Sequence, residues 1–138
     1  MNKYVLDSSA WIEYLAGTPT GELVVRYITE KGAEIYTTGL IVAEVLVKFL
    51  REEYTTEEAI STITAFSNFI PYTLPLAGET SKIYVETRKQ KNKFSLADAH
   101  ILATARALGA KVITCDSDFL EAPETIYIAK NIHPQTRE

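Results

Sequence analysis

Residues 95–115 read SLADAHILATARALGAKVITC, a helix followed at once by a strand. Ser95 has the character of an N-cap and Gly109 that of a C-terminal stop. The alanines and leucines between them are strong helix formers. KVITC (111–115) is apolar without alternation after its first lysine, the pattern of a strand covered on both faces. One residue in the helix is out of place. At 100° per residue, Asp98 shares a direction with Ile101, Leu102, Ala105 and Leu108, the stripe that should face the core. It stands where a capping box carries Glu or Gln, and an acid in a first turn suits the helix dipole. Within this segment, cap and functional acid are equally good readings of Asp98.

The same helix–strand grammar extends outward. KYVL (3–6), EIYTT (34–38), IPYTL (70–74) and ETIYIA (124–129) read as further strands. Helical patterns run over about Ser9–Leu15, Thr20–Lys31, Leu40–Glu53, Thr56–Phe69 and Ala77–Lys91. Strands separated by helices predict a three-layer α/β/α sandwich around a central, mostly parallel five-stranded sheet. At 138 residues the chain fits one domain, expected over 1–130 with a loose tail at 131–138.

Composition narrows the function classes. With 46% hydrophobic and 23% charged residues the chain is ordinary and globular, and a net charge of −4 announces no overall affinity for nucleic acid. The single cysteine, Cys115, excludes an internal disulfide and reads as a small apolar residue of its strand. The apolar stretch Leu40–Leu50 is short and interrupted by Glu44 and Lys48, so no membrane span is expected. The N-terminus lacks the pattern of a signal peptide, which points to the cytoplasm.

Acids fall at telling places. Asp7 follows KYVL and Asp116 follows KVITC, both at carboxyl ends of strands, where such sheets bind ligands; Asp118 stands two residues further on. The plain alternatives are a cap for Asp7, although Ser8 and Ser9 look better placed for that task, and a polar turn for Asp116 and Asp118. Glu44 lies on a face with Leu40, Ile41 and Val47; its plain alternative is an i,i+4 pair with Lys48. If Asp7, Glu44, Asp98 and Asp116 converge, their repulsion calls for a hard cation such as Mg²⁺ or Mn²⁺. His100 and His133 read as surface residues, which argues against zinc.

VLDSS (5–9), IVAEVL (41–46), SLADAHILATARALGA (95–110) and VITCDSDF (112–119), taken in this order, closely resemble the PIN-domain family, and within it the VapC-type toxins of toxin–antitoxin pairs. The resemblance covers Tyr4 to about Ile128. It implies a Mg²⁺- or Mn²⁺-dependent endoribonuclease whose acidic positions match Asp7, Glu44, Asp98 and Asp116, with Asp118 as an additional acid. Asp7, Asp98 and Asp116 match the direct ligands, and Glu44 a ligand or the holder of a metal-bound water. The family's hydroxyl positions fall on Ser8 and Thr114, while Ser9 stands where many members have Asn and has no assigned role. The resemblance further implies a homodimer held in check by an antitoxin; helices around Trp11, Tyr14, Leu15, Phe49 and Tyr54 offer surfaces for such contacts or ordinary core. Within the family, a housekeeping RNA-processing nuclease or a non-cleaving RNA- or protein-binding module is the alternative. A haloacid-dehalogenase-like phosphatase would need D-x-D-x-T after the first strand, and VLDSSAW lacks it. For RNA, the basic run of Lys82, Arg88, Lys89, Lys91 and Lys93 is the candidate grip, with Lys48 and Arg51 beyond Glu44; cations near a helix C-terminus equally suit the dipole.

Overall fold

The computed structural model describes residues 2–119 and 122–130. Strand β1 (Lys3–Leu6) lies at the centre of a five-stranded sheet, with β2 (Glu34–Thr37) and β3 (Asn68–Phe69) on one side and β4 (Lys111–Thr114) and β5 (Thr125–Tyr127) on the other. Every pairing is parallel. Tyr4, Val5 and Leu6 pair with Lys111, Val112 and Ile113, and the apolar members of both strands are buried, as the unalternating KVITC predicts.

After β1 the chain moves outward to β2 through α1 (Ser8–Ala16) and α2 (Pro19–Ile28), then to β3 through α3 (Gly39–Arg51) and α4 (Glu57–Phe66). It then returns across β1 to β4 through α5 (Leu74–Arg88) and α6 (Leu96–Leu108). With right-handed crossovers, this reversal puts α5 and α6 on the face opposite α1–α4. Direction reverses between β1 and β4, so the ligand crevice of such a sheet lies at their carboxyl ends.

Local chemistry sets the helix limits. Asp7, Thr18, Thr38, Thr73 and Ser95 each cap the helix that follows, and Gly17 and Gly109 close α1 and α6 in the left-handed conformation that glycine adopts freely. Gly21 has a different role. A Cβ there would sit 2.2 Å from the Glu13 carbonyl oxygen, so α1 and α2 approach as closely as they do only because α2 carries glycine at that point.

Two expectations need correction. IPYTL (70–74) is not a strand: the edge strand is Asn68–Phe69, and its last ladder bond runs from the Ile70 N–H to the Thr37 carbonyl at 2.9 Å. Pro71 has no N–H to continue it. His100 is buried, 2% exposed, because α6 packs against both the sheet and α5 and is buried continuously from Ala99 to Ala105. Its ring meets Tyr72 edge-on, and burial holds its pKa below the usual histidine value. His133 and the 131–138 tail lie outside the described residues.

Candidate active site

The crevice is built around Asp7. Its backbone N–H continues the β1–β4 ladder to the Ile113 carbonyl at 3.1 Å, and its side chain caps α1 by accepting from the Ala10 N–H at 3.1 Å. Asp7, and not Ser8 or Ser9, is therefore the cap, and the two serines are released for other partners. Ser9 Oγ donates to Asp7 Oδ1 at 2.5 Å and accepts from the Cys115 N–H at 2.9 Å. Thr114 Oγ1 donates to Asp7 Oδ2 at 2.6 Å and accepts from the Asp116 N–H at 2.9 Å. The Ser8 hydroxyl favours the charged form of Glu44. Asp7 and Ser9 thus tie β1 and α1 to the end of β4.

Asp7 is 4% exposed, and burial pushes its carboxyl above the usual aspartate range. The hydrogen bonds from Ser9, Thr114 and Ala10 oppose that rise, while the charge of Asp116 adds to it. Glu44 is half-buried on α3 and is also pushed up, by burial first, then by the charges of Asp7, Asp98 and Asp116. The acids at 7, 44, 98 and 116 therefore share one electrostatic field. The alternative Glu44–Lys48 pair does not form, since Lys48 pairs with Glu52 at 2.8 Å.

Asp98 performs the capping role in full. Its Oδ2 accepts from the Ser95 N–H at 2.9 Å, and its own N–H donates to Ser95 Oγ at 3.0 Å. The box stands at the head of α6, and the Asp98 charge still reaches Glu44. Asp118 belongs to the 3-10 turn Ser117–Phe119, and its side chain lies outside the described residues. Cys115, just past β4, is buried with its thiol pushed up to about 11, mainly by burial, which keeps it protonated at neutral pH.

Among the described residues, no three His, Cys, Asp or Glu side chains form a ready-made cage for a metal ion. The donor set still suits a hard cation. The acids offer carboxylate oxygens, and Asp7 and Glu44 bear a desolvation and repulsion that a nearby positive charge would relieve.

The basic candidates are held in varied ways. Arg88 donates to Tyr84 Oη at 2.7 Å and lies over its ring, and Lys89 pairs with Glu86 at 3.3 Å. Lys91 lines a hollow with Phe94 and Arg106 beyond the end of α5, while Arg51 and Lys93 are exposed. The aromatic candidates also divide. Trp11 is fully buried core, whereas Tyr14, Leu15, Phe49 and Tyr54 line one groove of about 790 Å³ among α1, α3 and α4. Sequence reasoning offered Ser9 only as a helix cap; its bond to Cys115 spans more than a hundred residues, and no local signal points to it.

Comparison with known proteins agrees with this architecture. A search of curated proteins finds no match. Among solved structures, a toxin–antitoxin complex from Klebsiella pneumoniae superposes with a TM-score of 0.72 at 20% identity, covering 93% of this chain and 99% of that one. VapBC2 from Rickettsia felis, bound to a DNA fragment from its promoter, gives 0.73 at 13% identity, covering 98% of each chain. VapC20 from Mycobacterium tuberculosis, a toxin that cleaves the sarcin–ricin loop, gives 0.68 at 19%, covering 87% and 95%. These likenesses establish the shared fold. The PIN-domain family model matches residues 4–125, which takes in most of β1, the four acids and all of β4, and ends at the first residue of β5. By that match, with the acids at the ends of β1 and β4 and on α3 and α6, this chain belongs to the PIN-domain family.

Proposed function

We propose that the chain is a metal-dependent endoribonuclease and the toxin of a toxin–antitoxin pair. The observation that carries this reading is the buried Asp7 carboxylate at the β1/β4 reversal, in one field with Glu44, Asp98 and Asp116. Asp7, Asp98 and Asp116 would hold Mg²⁺ or Mn²⁺, with Glu44 and Asp118 completing the acidic set. Such an ion supplies a water of lowered pKa and positive charge for the developing phosphorane-like oxygens. The chain's own groups do the rest. Ser9 and Thr114 fix both Asp7 oxygens and the Ser95 N–H fixes Asp98, so these carboxylates meet RNA already oriented. Arg88, Lys89, Lys91, Lys93, Lys48 and Arg51 are the candidate contacts to the RNA backbone.

The groove lined by Tyr14, Leu15, Phe49 and Tyr54 supports an antitoxin partner. Its rim carries Glu52, Glu53 and Glu58, and so suits an apolar segment with basic residues. A homodimer belongs to the same proposal, with the exposed Leu40, Val47 and Leu50 of α3 as the surface it would cover. Although the relatives of similar structure are toxin–antitoxin proteins, an RNA-processing enzyme of the same chemistry is the second reading. A short protein encoded beside this chain that suppresses its cleavage, and fails to do so against Phe49→Glu, separates the two.

The direct test is cleavage of structured and single-stranded RNA with Mn²⁺ or Mg²⁺, with and without EDTA, by wild type and Asp98→Asn. Asn keeps an oxygen for the Ser95 N–H, so the capping box survives while the charge is lost. Cleavage that needs the metal and falls at least a hundredfold in Asp98→Asn supports the reading; equal cleavage by the folded variant overturns it.

A further inference from the structure

Ser9 and Thr114 form two parallel relays onto one carboxylate. In each, a backbone N–H of the β4 end donates to a hydroxyl, and that hydroxyl donates to Asp7. A hydroxyl carries one proton. Both protons are committed to Asp7 at 2.5 and 2.6 Å, so the 3.3 Å approach of Ser9 Oγ to Thr114 Oγ1 is packing between two acceptors. The Thr114 relay is local to β4. The Ser9 relay is not: it joins the first turn of α1 to the backbone of buried Cys115, immediately before Asp116.

We propose that Ser9 is a positioning residue, whose hydroxyl fixes the β4 end against Asp7 and thereby sets the separation of the Asp7 and Asp116 carboxylates. Three details favour position over mere stability. Cys115 N–H, at the end of β4, has Ser9 Oγ as its acceptor, so losing the hydroxyl frees the peptide that carries the chain into Asp116. Asp7 Oδ1 would keep only the Ala10 N–H, which is set by the helix and not by β4. The side chain is small and only half-buried, so its removal opens little space. For its catalytic consequence the inference rests on the ribonuclease reading; for its geometric claim it does not.

The test compares wild type, Ser9→Ala and Ser9→Thr by amide hydrogen exchange at Cys115, by Mn²⁺ affinity without RNA from electron paramagnetic resonance titration, and by RNA cleavage. In Ser9→Ala, Cys115 exchange is expected to accelerate about tenfold and the Mn²⁺ Kd to rise about tenfold, the usual scale for losing a group that orients a ligand. The cleavage kcat should fall with KM unchanged. Ser9→Thr, which keeps the hydroxyl, should return all three to within about threefold of wild type. Unchanged Cys115 exchange, or faster exchange with an unchanged Mn²⁺ Kd, overturns the inference. So does a folded Ser9→Thr protein that behaves like Ser9→Ala. If wild type binds Mn²⁺ but cuts no RNA, while Ser9→Ala still raises the Kd, the ribonuclease reading fails and the Ser9 assignment stands.

Discussion

Replacing Thr114 by valine removes one hydroxyl from a fully buried site and leaves its shape almost unchanged. Two hydrogen bonds go with it: the donation to Asp7 Oδ2 at 2.6 Å and the acceptance from the Asp116 N–H at 2.9 Å. A bond to a charged group contributes about 1.5–3 kcal/mol, and a neutral one about 1 kcal/mol. The added methyl returns about 0.8 kcal/mol. The expected loss is therefore about 2–3 kcal/mol at neutral pH, or about 6–10 °C in Tm for a chain of this length. The loss should depend on pH in a definite direction. Native Asp7 titrates above the usual aspartate value, and the Thr114 hydroxyl favours its ionised form. The difference between threonine and valine is thus fullest where Asp7 is ionised, and it shrinks as pH falls through the native Asp7 pKa. Urea melts in EDTA taken from pH 4 to pH 9 measure both quantities, with Thr114→Ser as a control expected within about 1 kcal/mol of wild type. A loss under about 1 kcal/mol at the alkaline end, or one of equal size throughout the range, would refute the relay as the support of Asp7.

In metal-free wild type, Asp7 and Glu44 bind their protons more tightly folded than unfolded, so their contribution to stability grows as pH falls from 7.5 toward the usual carboxylate range. His100, Glu30 and Glu124 are shifted down and oppose that trend, so the contribution is read from thermal melts of wild type against Glu44→Gln; a difference that does not move in favour of wild type on acidification contradicts the shared field. Gly21→Ala should lower stability by about 3 kcal/mol, since the clash is with backbone that no rotamer relieves. A calorimetric Tm within about 3 °C of wild type would show that α1 and α2 separate cheaply. For the basic segment, Lys89→Glu with Lys91→Glu should weaken single-stranded RNA binding and reduce the slope of log K against log salt by about 1.4, at about 0.7 per phosphate contact. An unchanged slope removes both from the interface.

The helix–strand unit at 95–115 was legible because every local signal in it agrees: a serine cap, a glycine stop, good helix formers and an apolar strand. The central strands followed for the same reason. The edge was less legible. IPYTL has the composition of a strand, but the position of Pro71 relative to the last ladder bond decides the matter, and that depends on pairing with Thr37. His100 was misplaced because helical periodicity assumes one wet face, and the middle of α6 has none. Around the acids, the residue types were readable while their partners were not. Lys48 takes Glu52 in place of Glu44, and Asp7 takes the cap for which the sequence favoured Ser8 and Ser9.

Under the proposed function, the two sequence readings of Asp98 do not compete. In the sequence, cap and functional acid were alternatives, because each explained an acid at that position. In the fold, Oδ2 closes the capping box, and that bond fixes where the carboxylate's charge sits relative to Glu44. An acid free to swing at the start of α6 would lose orientation to solvent. The box avoids that. The same economy recurs at Asp7, which caps α1 with the oxygen that Ser9 also holds. Helix caps are strong, local and geometrically strict. An active site built from them has its acids oriented by the elements that bring them together.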